Sequence, residues 1–264
     1  MFQFAEFFVL CTALLQVSAL FGGRNANVGE YPAFVGIVLP FDSQVCGGSI
    51  FNRNHVLTVA NRMLSTNFML LAPNQLSIIA GANTINFAMP RVQVQAVYVH
   101  PQFNPFTSEN DIAVVRTQTD FNFPQVAVPL VAPIDLSTRI AFDTLGCWVT
   151  AWNTNNNLQQ TLAVPIINRD TCNALAPNFG RISESMMCAG TTAASTGVCN
   201  FNRGASLYCN NRLEGVLSSG FSCGTVANTP GVYTQVRFYQ QWIEEQVRRQ
   251  DIPPANVSPI ERLP

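Results

Sequence analysis

Side chains that titrate near neutral pH are few in this 264-residue sequence. Histidine, the group that titrates nearest neutral pH, occurs only twice. His55 sits in a strand-like apolar run and His100 precedes Pro101 in a loop, and both read as ordinary packed or surface residues. No metal site and no cofactor are expected. Lysine is absent, so all 14 basic residues are arginines, and the densest pair, Arg248-Arg249, is too short to make a stripe. Only 11% of residues are charged and the formal net charge is −1, which argues against an electrostatically driven nucleic-acid or heparin binder. The sequence has eight cysteines.

The elements that must position such groups can be read from the apolar pattern. Residues 1–19 form an expected export signal. The apolar run Phe7 to Leu15 is too short to span a bilayer, and Val17-Ser18-Ala19 supplies a small-residue cleavage pattern. Cleavage there removes Glu6 and Cys11 and makes Leu20 the mature N-terminus. The segment carries no basic side chain, so positive charge comes from the amino terminus alone. No later stretch is apolar enough for a membrane helix. From Tyr31 onward, short runs rich in Val, Ile, Phe and Thr alternate with Asn, Pro and Gly clusters, the spacing of an all-β fold. Strands are predicted at Phe34 to Leu39, His55 to Val59, Leu76 to Ala80, Val92 to Val99 and Ile112 to Arg116. A second set covers Cys147 to Ala151, Gln160 to Ile167, Ser206 to Cys209, Gly215 to Ser219 and Gly231 to Val236. This predicts two β-domains, over about 20–125 and 143–236. Phe238, Trp242 and Ile243 recur at helical spacing and predict a C-terminal helix over about 238–250, followed by a Pro-rich tail over 251–264.

Six motifs then occur in order: Leu20-Phe21-Gly22-Gly23, Cys46-Gly47-Gly48-Ser49, Val56-Leu57-Thr58-Val59-Ala60, Asn110-Asp111-Ile112-Ala113, Cys188-Ala189-Gly190 and Thr229-Pro230-Gly231-Val232-Tyr233. Together they resemble the chymotrypsin-like, trypsin-family serine proteases over about residues 20–249. The resemblance implies two six-stranded antiparallel β-barrels with a cleft between them and a C-terminal helix packed behind. It does not by itself imply catalysis.

That family's chemistry requires a serine to attack the carbonyl, a histidine to take its proton and an aspartate to orient the imidazole. Where the family continues Ala-Ala-His-Cys, this chain has Val59-Ala60-Asn61-Arg62, so the base position holds a carboxamide that does not titrate near neutral pH. Counting from Cys199 to Cys209 puts Arg203 at the serine position, and a guanidinium offers donors only. Ser206 falls at the family's proline position, with no base placed to activate it. Asp111 alone survives of the three. The resemblance places Phe201 at an oxyanion-hole glycine and Asn202 at the aspartate that receives the N-terminal amine. Gly197 stands at the specificity-pocket position, without an acid for Lys or Arg. Ala19 replaces the basic residue of an activation cut, so no zymogen stage is implied. Arg203 is expected in one of two arrangements. Either it reaches across the cleft toward Asn61 and Asp111 as a structural plug, or it points to solvent and leaves Asp111 to backbone donors and Asn61.

Carried over from the family, the disulfides are Cys147-Cys209, Cys172-Cys188 and Cys199-Cys223. The first-barrel bridge would join Cys46 to the position of Arg62 and cannot form, which leaves Cys46 as an inert buried thiol or a reactive or intermolecular one. Three function classes follow. The first is a secreted, catalytically inactive scaffold, a pseudoprotease acting as cofactor, decoy or competitor toward proteases, their inhibitors or substrates. The second is an active endopeptidase with unorthodox residues, and the third an anion- or glycan-binding homologue. The combined change of base, nucleophile and hole favours the first. Asn256-Val257-Ser258 is a glycan acceptor pattern whose use Pro259 disfavours. The Asn153 to Asn157 turn and the Phe103 to Phe106 stretch are candidate interaction loops.

Overall fold

The computed structural model describes residues 20–42, 45–139, 146–175, 181–191, 196–199, 202–220 and 230–251. The chain runs through β1 (Leu20–Phe21), β2 (Arg24–Asn25), β3 (Phe34–Val38), β4 (Val45–Ile50), β5 (His55–Thr58), β6 (Ser77–Ile79), β7 (Val92–Val99) and β8 (Ala113–Thr117). After β9 (Asp135–Leu136) come β10 (Gly146–Trp152), β11 (Gln159–Ile167), α1 (Arg169–Leu175), β12 (Met186–Ala189), β13 (Gly197–Val198) and β14 (Ser206–Cys209). The last elements are β15 (Arg212–Ser219), β16 (Gly231–Gln235) and α2 (Gln240–Arg248).

β3-β4-β5-β8-β7-β6 close on themselves as an antiparallel barrel. β10-β14-β15-β16-β12-β11 close into a second through the β10–β11 pairing. Closure removes free sheet edges and turns one face of every strand inward. β7 shows the cause in its sequence: Val94, Ala96 and Tyr98 are buried while Gln93 and Gln95 carry the amides outward. Val35, Ile37, Leu57, Val94 and Val114 belong to the core of the first barrel, and Val149, Leu162, Val164, Leu207 and Tyr233 to that of the second. Each such side chain contributes about 1.5–3 kcal/mol by leaving water.

The barrels are tied by polar bonds across their seam. Trp152 Nε1 donates to the Val35 carbonyl at 3.1 Å, its ring stacks on Phe34, and the Ser49 hydroxyl is bonded to those of Ser206 and Tyr208 at 2.6 and 2.7 Å. α2 packs Ile243 and Trp242 against the first-barrel core and is pinned at its start by Gln240 Nε2 on the Ser137 carbonyl. Beyond its end, the Tyr98 hydroxyl donates to the Asp251 carbonyl.

Several expected boundaries move. The first barrel begins at Phe34 rather than Leu20, because β1 pairs with β13 and β2 with β11, so residues 20–25 belong to the second barrel. The C-terminal helix is shorter than 238–250: a 3-10 turn at Val236–Tyr239 precedes α2, which ends at Arg248. β4, β12 and α1 were not expected as elements. The expected export signal, the tail beyond Asp251, and Phe201, Cys223 and Asn256 lie outside the described residues.

Candidate functional site

The β5–β8 pairing sets Thr58 opposite Ala113, so the residues just past the end of β5 meet those just before β8. Asn61 lies there in a single 3-10 turn, Ala60–Met63, and Asp111 follows a tight turn in which Asn110 has φ +56°. The Asp111 carboxylate is fully buried. Its Oδ1 accepts from the Asn61 backbone N–H at 2.8 Å, and its Oδ2 accepts from Asn61 Nδ2 and from the Ser218 hydroxyl at 2.5 Å. Burial dominates and pushes the carboxyl up to about 6, against the pull of Ser218, the Asn61 amide and the Arg203 charge. Asn61 Oδ1 is itself buried with no partner. The Asp111 carboxylate thus holds a carboxamide, a group that does not titrate near neutral pH.

Of the two arrangements expected for Arg203, the plug does not form. Among the described residues its side chain makes no ion pair or hydrogen bond; it is half-buried, with Nε buried and unpartnered. Its charge lowers the Asp111 carboxyl through space, while the bonds to that carboxylate come from Asn61 and Ser218. Two donors on one oxygen and one on the other already satisfy the group, so a long side chain would give up solvation for a weaker place. Arg203→Met is expected to stay within about 0.5 kcal/mol of wild type by chemical denaturation at neutral pH, and a loss of about 3 kcal/mol would restore the plug.

Ser206 is buried on β14 with its hydroxyl on Ser49, away from any imidazole. The histidines serve elsewhere. His55 Nδ1 meets Asn52 Oδ1, and burial with the nearby Arg116 pushes its pKa down to about 4. His100 packs against Tyr239 and Trp242 and is likewise pushed down to about 4 by burial.

At the other wall, Leu20 is fully buried and its N–H donates to Gln160 Oε1 at 3.4 Å. Asn202, at the expected anchor position, spends its carboxamide on the Cys199 N–H and the Trp152 carbonyl. Gly197 is buried in β13 opposite Phe21. Its neighbours Val198 and Cys199 are pressed by Gly220: a Cβ built on Gly220 would stand 2.6 Å from the Val198 oxygen and 2.7 Å from the Cys199 carbonyl carbon.

Cys147–Cys209 and Cys172–Cys188 are bridged, and Cys199 is disulfide-bonded. Cys46 is a buried free thiol, its pKa raised by burial, with Sγ against the carbonyls of Gly47 and Arg203 at 3.3 Å each. A thiol disfavoured as thiolate and closed to solvent fits the inert alternative. Ser218 and Gln160 were missed by sequence reading, because their contacts to Asp111 and Leu20 span 107 and 140 residues and carry no local signature.

Two closed antiparallel barrels with a polar cluster at their seam define a chymotrypsin-type fold. The trypsin family model matches residues 20–243, and the chain belongs to that family. It is also similar to trypsin of Sus scrofa, with 27% identity over 233 residues, covering 86% of this chain and 94% of that protein. Among the described residues, no helix is long and apolar enough to cross a membrane.

Proposed function

We propose that this chain is a secreted, non-catalytic member of the trypsin family that uses the two-barrel frame as a binding scaffold. It would serve as cofactor, decoy or competitor toward proteases, their inhibitors or substrates in an extracellular proteolytic or defence pathway. The observation that carries this reading is the pairing of Asp111 with the Asn61 carboxamide, facing an arginine at the nucleophile position. In a triad-dependent enzyme, loss of one member costs about 10⁴–10⁶ in kcat, and here base and nucleophile are both replaced.

The test is labelling of the purified secreted protein with a fluorophosphonate, alongside hydrolysis of a mixed peptide set. No labelled serine and no turnover above a buffer blank are expected; stoichiometric labelling would sink the proposal. The double variant Asn61→His with Arg203→Ser is also expected to stay inactive. It restores two side chains but leaves Asn202 occupied by the Cys199 amide. Turnover approaching that of a family protease would refute this expectation.

A further inference from the structure

On the second barrel, β10 and β14 set Trp148 directly opposite Tyr208, so both rings project to the same side. Tyr31 stacks on Tyr208 with centroids 5.6 Å apart. These three rings, with Pro32 and Pro133, line a cavity of about 450 Å³, whose rim carries the amides of Asn210 and Asn211. Trp148 is 41% exposed although it belongs to a core strand.

The segments that line the cavity, 30–33 and 132–134, are preceded along the chain by exposed apolar residues. Val28, Val126 and Val128 are each more than half exposed and Leu130 is 46% exposed. Gly29 lies against Val128 and Leu130, and the Ala132 N–H donates to the Pro32 carbonyl, so the two segments run side by side for roughly 15 Å toward the cavity. Contiguous apolar surface of this kind on a soluble domain marks an interaction site. Among the described residues, the charged side chain lining the cavity is Glu30, which pairs with Arg24, whose guanidinium sits 5.2 Å from the centre of the Trp148 ring.

We propose that this face docks an extended, uncharged polypeptide segment of a partner protein, with one aromatic side chain seated among Trp148, Tyr31 and Tyr208 and aliphatic neighbours along Val128 and Leu130. An aromatic anchor matches rings that already stack at 4.5–7 Å spacing. The rim amides answer peptide carbonyls and N–H groups. A charged segment would lose its hydration against the strip, and the charge among the described lining residues, Glu30, is already paired with Arg24. The inference is independent of whether the cleft catalyses.

The probe is a phage-displayed library of random linear nonapeptides panned against the full mature chain. Enrichment of neutral sequences with one aromatic flanked by aliphatic residues is expected. Their affinity should fall at least tenfold in Trp148→Ser and in Val128→Asp, both exposed positions, and hold in Arg203→Met. Far-ultraviolet dichroism and a cooperative urea transition like those of wild type confirm that each variant is folded; should either fail, Leu130→Asp takes its place. No enrichment over a blank support, or peptides indifferent to these substitutions, overturns the proposal. So does a dimer in sedimentation that Val128→Asp dissociates, which assigns the face to a second copy. Tighter binding by a synthetic peptide of residues 252–264 than by every selected sequence assigns it to the chain's own tail and overturns it equally.

Discussion

Gly204→Ala is expected to remove about 3–5 kcal/mol of stability, a large part of the 5–15 kcal/mol that holds a typical domain folded. Gly204 sits at φ +87°, in the left-handed region where a Cβ costs roughly 1–2 kcal/mol. Its Cβ would also fall 2.3 Å from the Gly47 oxygen and 2.6 Å from Cys46 Sγ. The Gly47 carbonyl cannot tilt aside freely, because it belongs to β4 and accepts from the Thr58 hydroxyl at 2.7 Å. Overpacking of this kind adds about 1–3 kcal/mol. The contact is reciprocal, since a Cβ on Gly47 would stand 2.6 Å from the Gly204 oxygen, so the barrels meet here backbone to backbone. Urea denaturation provides the measurement, and the buried Cys46 thiol provides a second, by its rate of alkylation. Gly146→Ala is the control: it is exposed, nothing lies within 4 Å of its Cβ, and no change is expected. A loss below about 1 kcal/mol in Gly204→Ala would mean that the junction yields, and the close approach would lose its structural role.

Most of the barrel was legible because β-branched and aromatic runs bounded by Asn, Pro and Gly state their own conformation. β7 and β14 span Val92–Val99 and Ser206–Cys209, as their composition predicts. β4 was invisible as a strand, since its centre is Cys46-Gly47-Gly48-Ser49 and carries no β-forming side chain; it is a strand because β3 and β5 pair with it on both sides. The N-terminal segment was assigned to the wrong barrel for a related reason. Two-residue strands hold through distant register, Leu20 opposite Val198, which no local pattern encodes. At the site, residue types could be read by position while their bonds could not. The sequence puts an arginine and an aspartate across one cleft, and charge alone suggests that they pair. The fold brings the Ser218 hydroxyl and the Asn61 amides to the carboxylate first, and it is then satisfied.

Asp111→Asn is expected to stabilise the protein by up to about 3 kcal/mol near pH 7.5 and by almost nothing near pH 4. In the folded protein the carboxyl is pushed from 3.8 up to about 6, chiefly by complete burial, so the native state holds its proton more tightly than the unfolded chain. The stability that this group confers is therefore fully present below the unfolded value and is lost as pH rises through about 6. At neutral pH the wild type carries a buried charge faced by Asn61, Ser218 and the more distant Arg203. An asparagine at this position is neutral at every pH, and the site can receive it. Its oxygen can accept from the Asn61 backbone N–H. The Asn61 carboxamide can rotate to turn its unpartnered Oδ1 toward the new NH₂, and the Ser218 hydroxyl can change from donor to acceptor. His55 and His100, both pushed down to about 4, act in the opposite sense, since the unfolded chain takes up their protons first and stability falls on acidification. They are common to both proteins and cancel in the difference, so the quantity to follow is variant minus wild type from urea titrations at several pH values. A difference that falls from about 3 kcal/mol toward zero between pH 7.5 and pH 4 is the expected result. A flat difference would mean that Asp111 titrates at its ordinary value, and that its three donors offset its burial.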